Sequence, residues 1–299
     1  MILTCIVPVT KIEPYLVRIS NLISEIAKYD EIALILVHDI QDNYSSPVLD
    51  QLLKDFPQER ITYLVGTFGN PGDTRNFALE RISTPWLFFA DGDDLIYPDR
   101  YLKVLGETIS LGCDLAVSGI RITSLKDVEV SRDHLINPRL SIQENLALLP
   151  AFTRIIYRSD FIQGVRFPSL AMAEDQCFLF SILERKPKIW VSEEIVYEYF
   201  IGSPSQLSSS SVPMLDLRES LLFFVRSFSK DNEKLFGASF IFLIRQIYTF
   251  TSRLKFRSLP FLIVLSPRFL WLILSHPIRF SFSLSKVFFF RKGLVHGKK

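Results

Sequence analysis

The sequence predicts an α/β protein: a mostly parallel sheet flanked by helices, followed by a helical, basic and aromatic tail. Three observations carry this expectation. Short apolar runs alternate with helix-patterned segments through the first 120 residues. The runs are apolar at nearly every position rather than every second one, as in strands buried on both faces. Acidic residues stop at Glu233: residues 1–233 hold all 32 carboxylates and 22 of the 34 Lys/Arg, whereas residues 234–299 hold 12 Lys/Arg, 12 of the 26 Phe and no acid.

The elements follow in order. Ile2–Val9 reads as a first strand, and Glu13–Tyr29 as a helix with Leu16, Ile19, Ile23 and Ile26 on one face. Ile32–Val37 is a second strand, and Ser45–Phe56 a helix opened by Ser46 and Pro47. Ile61–Val65, a helix over Pro71–Arg81, a strand over Trp86–Ala90, a helix over Pro98–Leu111 and a strand over Leu115–Ile120 complete the alternation. Residues 124–139 are polar and irregular, predicting a loop. Helices are expected over Ser141–Leu149 and Ser159–Ile162, around a Phe152–Tyr157 strand. Phe178, Leu179, Ile182 and Leu183 form a helical stripe behind Glu174 and Asp175. Lys188–Val191 and Ile195–Phe200 read as two strands, and Gly202–Val212 as a polar loop. The division expected is a catalytic domain over residues 1–212 and a helical region over residues 213–299.

The run Trp86-Leu87-Phe88-Phe89-Ala90 ends at Asp91-Gly92-Asp93-Asp94, three carboxylates within four residues. Mutual repulsion at a buried strand end raises their pKa values and costs stability. A divalent cation removes the difficulty, and all-oxygen ligands of this kind suit Mn²⁺ or Mg²⁺ held jointly with substrate phosphates. The competing reading is an Asp-rich turn in which Gly92 supplies a positive φ. Ligands of parallel sheets sit beyond the carboxyl ends of the strands. Asp39, the Gly66–Gly72 loop and Asp91–Asp94 all follow such ends, so they are expected at one crevice.

Ile6-Val7-Pro8-Val9, Leu36-Val37-His38-Asp39, Gly72-Asp73-Thr74-Arg75-Asn76, Asp91-Gly92-Asp93-Asp94 and Glu174-Asp175 occur in this order. The ordered set resembles the family-2 glycosyltransferases with the GT-A fold, of the bacterial surface-polysaccharide type, over roughly residues 1–210. The resemblance implies that Pro8, Val9, Asp39, Arg75, Asp91 and Gly92 bind a nucleotide-sugar. It implies Asp93 as the ligand of a Mn²⁺ or Mg²⁺ bridging the diphosphate, with Asp94 in support. It makes Asp175 the catalytic base with Glu174 beside it, and gives the Ser203–Ser211 segment the place of a loop over the diphosphate. The implied activity is inverting transfer of a sugar to a hydroxyl of a lipid-linked glycan or polysaccharide. A polyprenyl-phosphate sugar synthase and a non-catalytic membrane-recruiting protein on the same scaffold are the alternatives. The sequence departs from the family at His38-Asp39-Ile40-Gln41-Asp42, one residue short of the usual turn, and at Thr10-Lys11, which replaces an aromatic-Asn pair.

Partners follow from charge. A basic, aromatic segment suits an anionic membrane surface, although a helical subdomain with a solvated basic face has the same composition. The window Leu259–Ser275 is broken by Pro260, Pro267 and Arg268, and Leu235–Phe250 carries Arg245, so interfacial helices are expected rather than spanning ones. Cys5, Cys113 and Cys177 are too few and too scattered for a zinc or disulfide framework. With no secretion signal pattern, the expected location is cytoplasmic, peripheral on the inner face of the membrane. No nucleic-acid partner is expected.

Overall fold

Four parallel strands form the first part of the sheet: β1 (Leu3–Val9), β2 (Ile32–Asp39), β3 (Ile61–Gly66) and β4 (Trp86–Phe89), in the order β3-β2-β1-β4. The computed structural model describes residues 1–10, 12–40, 47–125, 130–170, 172–202, 219–220, 223, 233–254, 274–275 and 277–295. The crossovers are α1 (Leu16–Ala27), α2 (Pro47–Asp55) and α3 (Pro71–Leu79). β1 and β2 are buried almost throughout, because helices leave neither face of such strands to water. Pro8 sits in a central strand without breaking the ladder. Ile6 accepts from Ala90 N at 2.9 Å, so Pro8, two residues on, turns its missing donor to the same side, where β4 has already ended.

Beyond β4 the pairing changes. β5 (Leu95–Ile96), α4 (Pro98–Ser110), β6 (Leu115–Ser124), β7 (Val130–His134), β8 (Ile155–Arg158) and β9 (Ile189–Ile201) complete a nine-stranded sheet ordered β3-β2-β1-β4-β8-β6-β9-β5, with β7 on β6. β8 runs antiparallel to both β4 and β6, whereas β9 runs parallel to β6.

Three local expectations are corrected. Residues 130–134 are a strand, held not by apolar burial but by side-chain pairs: Arg121 donates twice to Asp133 at 2.7 and 3.1 Å, and Thr123 bonds Ser131 at 2.8 Å. Residues 189–201 are one strand, and the polar Ser192-Glu193-Glu194 stretch that reads as a break is an irregularity opposite Val117–Gly119. Residues 159–162 form turns rather than a helix.

The chain divides into two compact units. The first comprises residues 1–136, 151–171 and 185–211 and holds the whole sheet. The second comprises residues 137–150, 172–184 and 212–299. It contains α5 (Ile142–Leu148), α6 (Glu174–Glu184), α7 (Glu233–Leu254) and α8 (Pro277–Val295). A capping box of Ser141 and Glu144 starts α5. Arg245 of α7 donates to Ala147 O at 2.7 Å, and Lys286 of α8 pairs with Glu144, so two of the tail's cations bind α5. Among the described residues no helix is long and apolar enough to cross a membrane. The window Leu259–Ser275 lies outside the described residues except for Leu274 and Ser275.

α3 carries a clamp. Asn70 caps it by accepting from Asp73 N at 2.8 Å. Asn76 donates to Phe167 O at 2.8 Å and accepts from Phe167 N at 2.9 Å, while Ser169 Oγ donates to Asp73 at 2.6 Å. Segment 167–169 is thereby laid against the helix. Gly72 permits the approach, since a Cβ there would stand 2.4 Å from Pro168 O. Gly72→Ala is therefore expected to destabilise the protein by about 1–3 kcal/mol through overpacking against backbone. Urea unfolding should show a lower midpoint at unchanged slope; an unchanged midpoint would contradict the close contact.

Candidate active site

The parallel register aligns the strand ends. Val9 lies opposite His38, and Asp39 opposite Gly66, with Ala90 bonded to Ile6. Pro8, Val9, Asp39, the Gly66–Gly72 loop and Asp91–Asp94 thus follow neighbouring carboxyl ends on one edge of the sheet, where such folds bind ligands.

The three carboxylates of the Asp turn have three different environments. Asp91 Oδ1 receives Arg75 Nη2 at 2.9 Å, and its main-chain N–H bonds Tyr197 Oη at 3.0 Å. Arg75 is 4 % exposed and lies over Phe152 and Phe167, its guanidinium carbon 4.7 and 5.5 Å from their ring centres. Asp94 is 1 % exposed and structural: Oδ2 accepts from Tyr197 Oη at 2.7 Å, and Oδ1 from Phe200 N at 3.0 Å. Burial and its two acidic neighbours push the Asp94 carboxyl well above the usual range, against those two hydrogen bonds. Asp93 differs from both. Burial, and then Asp91, push its carboxyl up to about 6, opposed by its own main-chain N–H and by Arg18. Among the described residues, no ion pair engages the Asp93 carboxylate.

Gly92 does not have the positive φ that an ordinary Asp-Gly turn would demand. Its role is a close approach: a Cβ would stand 3.2 Å from Ile19 Cγ1 of α1.

The Asp93 carboxylate is a hard oxygen donor of the kind that could hold Mn²⁺ or Mg²⁺. Among the described residues no group of three or more His, Cys, Asp or Glu could hold a metal alone.

Asp39 is 1 % exposed, and both its oxygens are used: Phe68 N donates to Oδ1 at 2.8 Å and Gly69 N to Oδ2 at 3.0 Å. It thus fixes the loop after β3, where Gly69 has φ +76°. His38 Nδ1 meets Tyr63 Oη at 3.0 Å, and burial outweighs Asp39 to lower its pKa, leaving the ring neutral at pH 7.

Glu174 and Asp175 belong to the second unit, in the first turn of α6, where negative charge suits the helix dipole. Glu174 is buried and Asp175 half-buried. Burial, then Asp175 and Glu174, push the Cys177 thiol upward. Ala173, just before them, has φ +65°. Lys11, Gln41-Asp42 and Ser203–Ser211 lie outside the described residues.

Sequence reasoning missed Arg18, Tyr197, Phe152, Phe167 and Phe200. None belongs to a local pattern. Tyr197 and Phe200 read as ordinary strand residues, and Arg18 as the polar face of a helix.

The raised Asp93 pKa predicts a pH-dependent cost in metal-free protein. Well below the unfolded pKa of 3.8 the carboxyl is protonated in both states and costs nothing. As pH rises from there to about 6 the unfolded chain ionises first, so stability falls, and the full cost persists above 6. Asp93→Asn should therefore match wild type only towards about pH 3 and exceed it by about 1–3 kcal/mol at about pH 7.5 in EDTA, by urea unfolding. Equal stabilities at both pH values would contradict the assigned environment.

Residues 4–181, more than half of the chain, match the family described as Glycosyl transferase family 2. The chain is 21% identical over 218 residues to poly(ribitol-phosphate) beta-glucosyltransferase of Bacillus spizizenii, covering 71% of this chain and 34% of that protein. It is 23% identical over 203 residues to the minor teichoic acid biosynthesis protein GgaB of Bacillus subtilis, covering 65% and 22%. The chain spans about a third or less of the length of these curated relatives. Among solved structures, S. aureus TarS 1–349 in complex with UDP-GlcNAc superposes with a TM-score of 0.69 at 21% identity, covering 87% of this chain and 78% of that one. The mannosyltransferase PcManGT from Pyrobaculum calidifontis, in complex with GDP-Man and Mn2+, gives 0.58 at 11% identity, covering 96% and 86%. The fold is GT-A-like, and by sequence the chain belongs to glycosyl transferase family 2.

Proposed function

We propose that this chain is an inverting glycosyltransferase that moves a sugar from a nucleoside-diphosphate sugar to a hydroxyl of a cell-surface polymer or its lipid-linked precursor. The observation that carries the reading is the Asp91–Asp94 turn. One carboxylate is paired to Arg75, one is committed to β9, and one is left ionisable at a cost, at the strand ends where a diphosphate would sit. Family membership supports the reaction class. The curated relatives' names, a poly(ribitol-phosphate) glucosyltransferase and a teichoic acid biosynthesis protein, support a polyol-phosphate-type polymer as acceptor. The UDP-GlcNAc bound by the TarS neighbour supports a uridine-diphosphate sugar as donor.

In this reading Asp93 would hold Mn²⁺ or Mg²⁺ together with the donor diphosphate, and Asp91, paired to Arg75, lies on the nucleotide-sugar side. A bound ion of this kind supplies neutralisation of charge developing on the leaving diphosphate. Arg75, rigid against Phe152 and Phe167, keeps Asp91 oriented, and Asp39 keeps the Phe68–Gly69 loop closed on the nucleotide side, with Pro8, Val9 and Gly92 as its backbone floor. Asp175 is the general base, with Glu174 as its neighbour. It takes the proton of the acceptor hydroxyl as that oxygen attacks the anomeric carbon. The bond from this carbon to the diphosphate oxygen breaks, the nucleoside diphosphate leaves, and the configuration inverts.

Asp175→Asn should lower transfer at least 100-fold, the scale of a lost general base, while leaving the donor dissociation constant unchanged. Chromatographic quantification of nucleoside diphosphate and glycosylated polymer, with and without EDTA, reads both the base and the metal. Undiminished turnover in the variant would remove Asp175 from the role, and undiminished turnover in EDTA would remove the ion.

The reading extends to location, peripheral on the cytoplasmic face of an anionic membrane, and rests there on the composition of residues 234–299 and an exposed apolar face. Leu274, Ile278, Phe282 and Phe288 are 56–76% exposed, in a segment of 12 cations and no acid. An exposed apolar stripe in a segment rich in cations and free of acids suits the headgroup boundary. Ile278→Ser with Phe282→Ser should weaken sedimentation with vesicles containing phosphatidylglycerol at least fivefold. Unchanged sedimentation would contradict this face.

A further inference from the structure

We propose that Arg18 is a positioning residue for the donor diphosphate: it holds the Asp91–Asp94 turn by the Asp93 main chain and leaves the Asp93 carboxylate uncommitted. The inference rests on the reading of that turn as the donor-binding element.

Two arginines flank the turn and treat it differently. Arg75 spends its charge on a carboxylate, as an ion pair with Asp91. Arg18, from the first turns of α1, donates through Nη1 to the carbonyl oxygen of Asp93. Its guanidinium carbon lies over Phe200, 4.4 Å from the ring centre. The main-chain N–H of the same Phe200 donates to Asp94 Oδ1 at 3.0 Å. A closed circuit results: Arg18 to the Asp93 carbonyl, along one peptide to Asp94, through its carboxylate to Phe200, and back through the ring to Arg18. α1 touches the turn a second time through Ile19, whose Cγ1 would stand 3.2 Å from a Cβ at Gly92.

This geometry has a chemical consequence. A cation bound to the carboxylate would compete with a metal for the same lone pairs. A cation bound to the carbonyl fixes the backbone instead and still places positive charge beside Asp93, which favours the ionised form. A planar guanidinium stacks and donates at once; an ammonium does not hold both contacts.

The test is titration calorimetry of the full chain with uridine, guanosine and cytidine diphosphates in Mn²⁺, beside thermal unfolding without ligand. For whichever nucleotide wild type binds, Arg18→Met should weaken binding at least tenfold with a melting temperature within about 2 °C of wild type. Arg18→Lys should recover part of that loss, and Phe200→Leu should reproduce part of it. Wild-type affinity in Arg18→Met overturns the proposal. Should Arg18→Met fail to fold, Arg18→Lys and Phe200→Leu decide: weakened binding at preserved melting temperature supports the role, and wild-type affinity in both overturns it. A wild-type protein that binds none of the three nucleotides overturns the donor-site reading itself, and the inference with it.

Discussion

Placing three carboxylates within four residues at the end of a buried strand is the constraint on which the first unit depends. Their repulsion is not removed by exposure, because the turn is hemmed in by α1, α3 and β9. It is divided instead. Asp91 is neutralised by a guanidinium that itself packs over two phenyl rings. Asp94 is satisfied by a tyrosine hydroxyl and a backbone amide. Asp94 still has a carboxyl pushed well upward by burial, and Asp93, pushed up to about 6, keeps its penalty with no ion pair to offset it among the described residues. A protein selected for stability alone would replace Asp93, and keeping it is the usual mark of a residue retained for its chemistry.

The supports of that turn come from four separated parts of the chain. Arg18 lies on α1, Arg75 on α3, Phe152 and Phe167 flank β8, and Tyr197 and Phe200 lie on β9. Tyr197 bonds both Asp91 N and Asp94 Oδ2 with one hydroxyl. Each buried hydrogen bond contributes about 1 kcal/mol, and more where the partner is charged. Loss of any one support therefore strains the others. The turn is held as a network, with Gly92 in close approach to Ile19 of α1.

This also explains what could be read from the sequence. The parallel strands were legible because burial on both faces makes every residue apolar, as in Leu34-Ile35-Leu36-Val37. The Asp91–Asp94 carboxylates were legible because they crowd one strand end, whereas Arg75 was named only through the family resemblance. β7 was not, since Val-Ser-Arg-Asp-His lacks apolar alternation and its pairing relies on partners in β6. Nor was the continuity of β9, where three polar residues mark an irregularity of register rather than an end. Arg18, Tyr197 and Phe200 escaped notice because their roles come from tertiary proximity. The grouping of α5 and α6 with the C-terminal helices escaped for the same reason: an apolar helical stripe announces that it will be covered, not by what.

The entry to α6 poses a different energetic question. Ala173 is held at φ +65°, a conformation that costs a non-glycine residue about 1–2 kcal/mol. Glycine would relieve that strain, but it would also enlarge the freedom of the unfolded chain, by an amount worth about 0.5–1 kcal/mol. The two effects largely offset one another, so stability gives little reason to prefer either residue. Backbone freedom at the helix entry does distinguish them. The buried face of α6, with Phe178, Leu179, Ile182 and Leu183, anchors the helix from one end. An alanine locked in the left-handed region restricts it at the other. Glu174 and Asp175 stand between these two restraints, in the first turn of the helix.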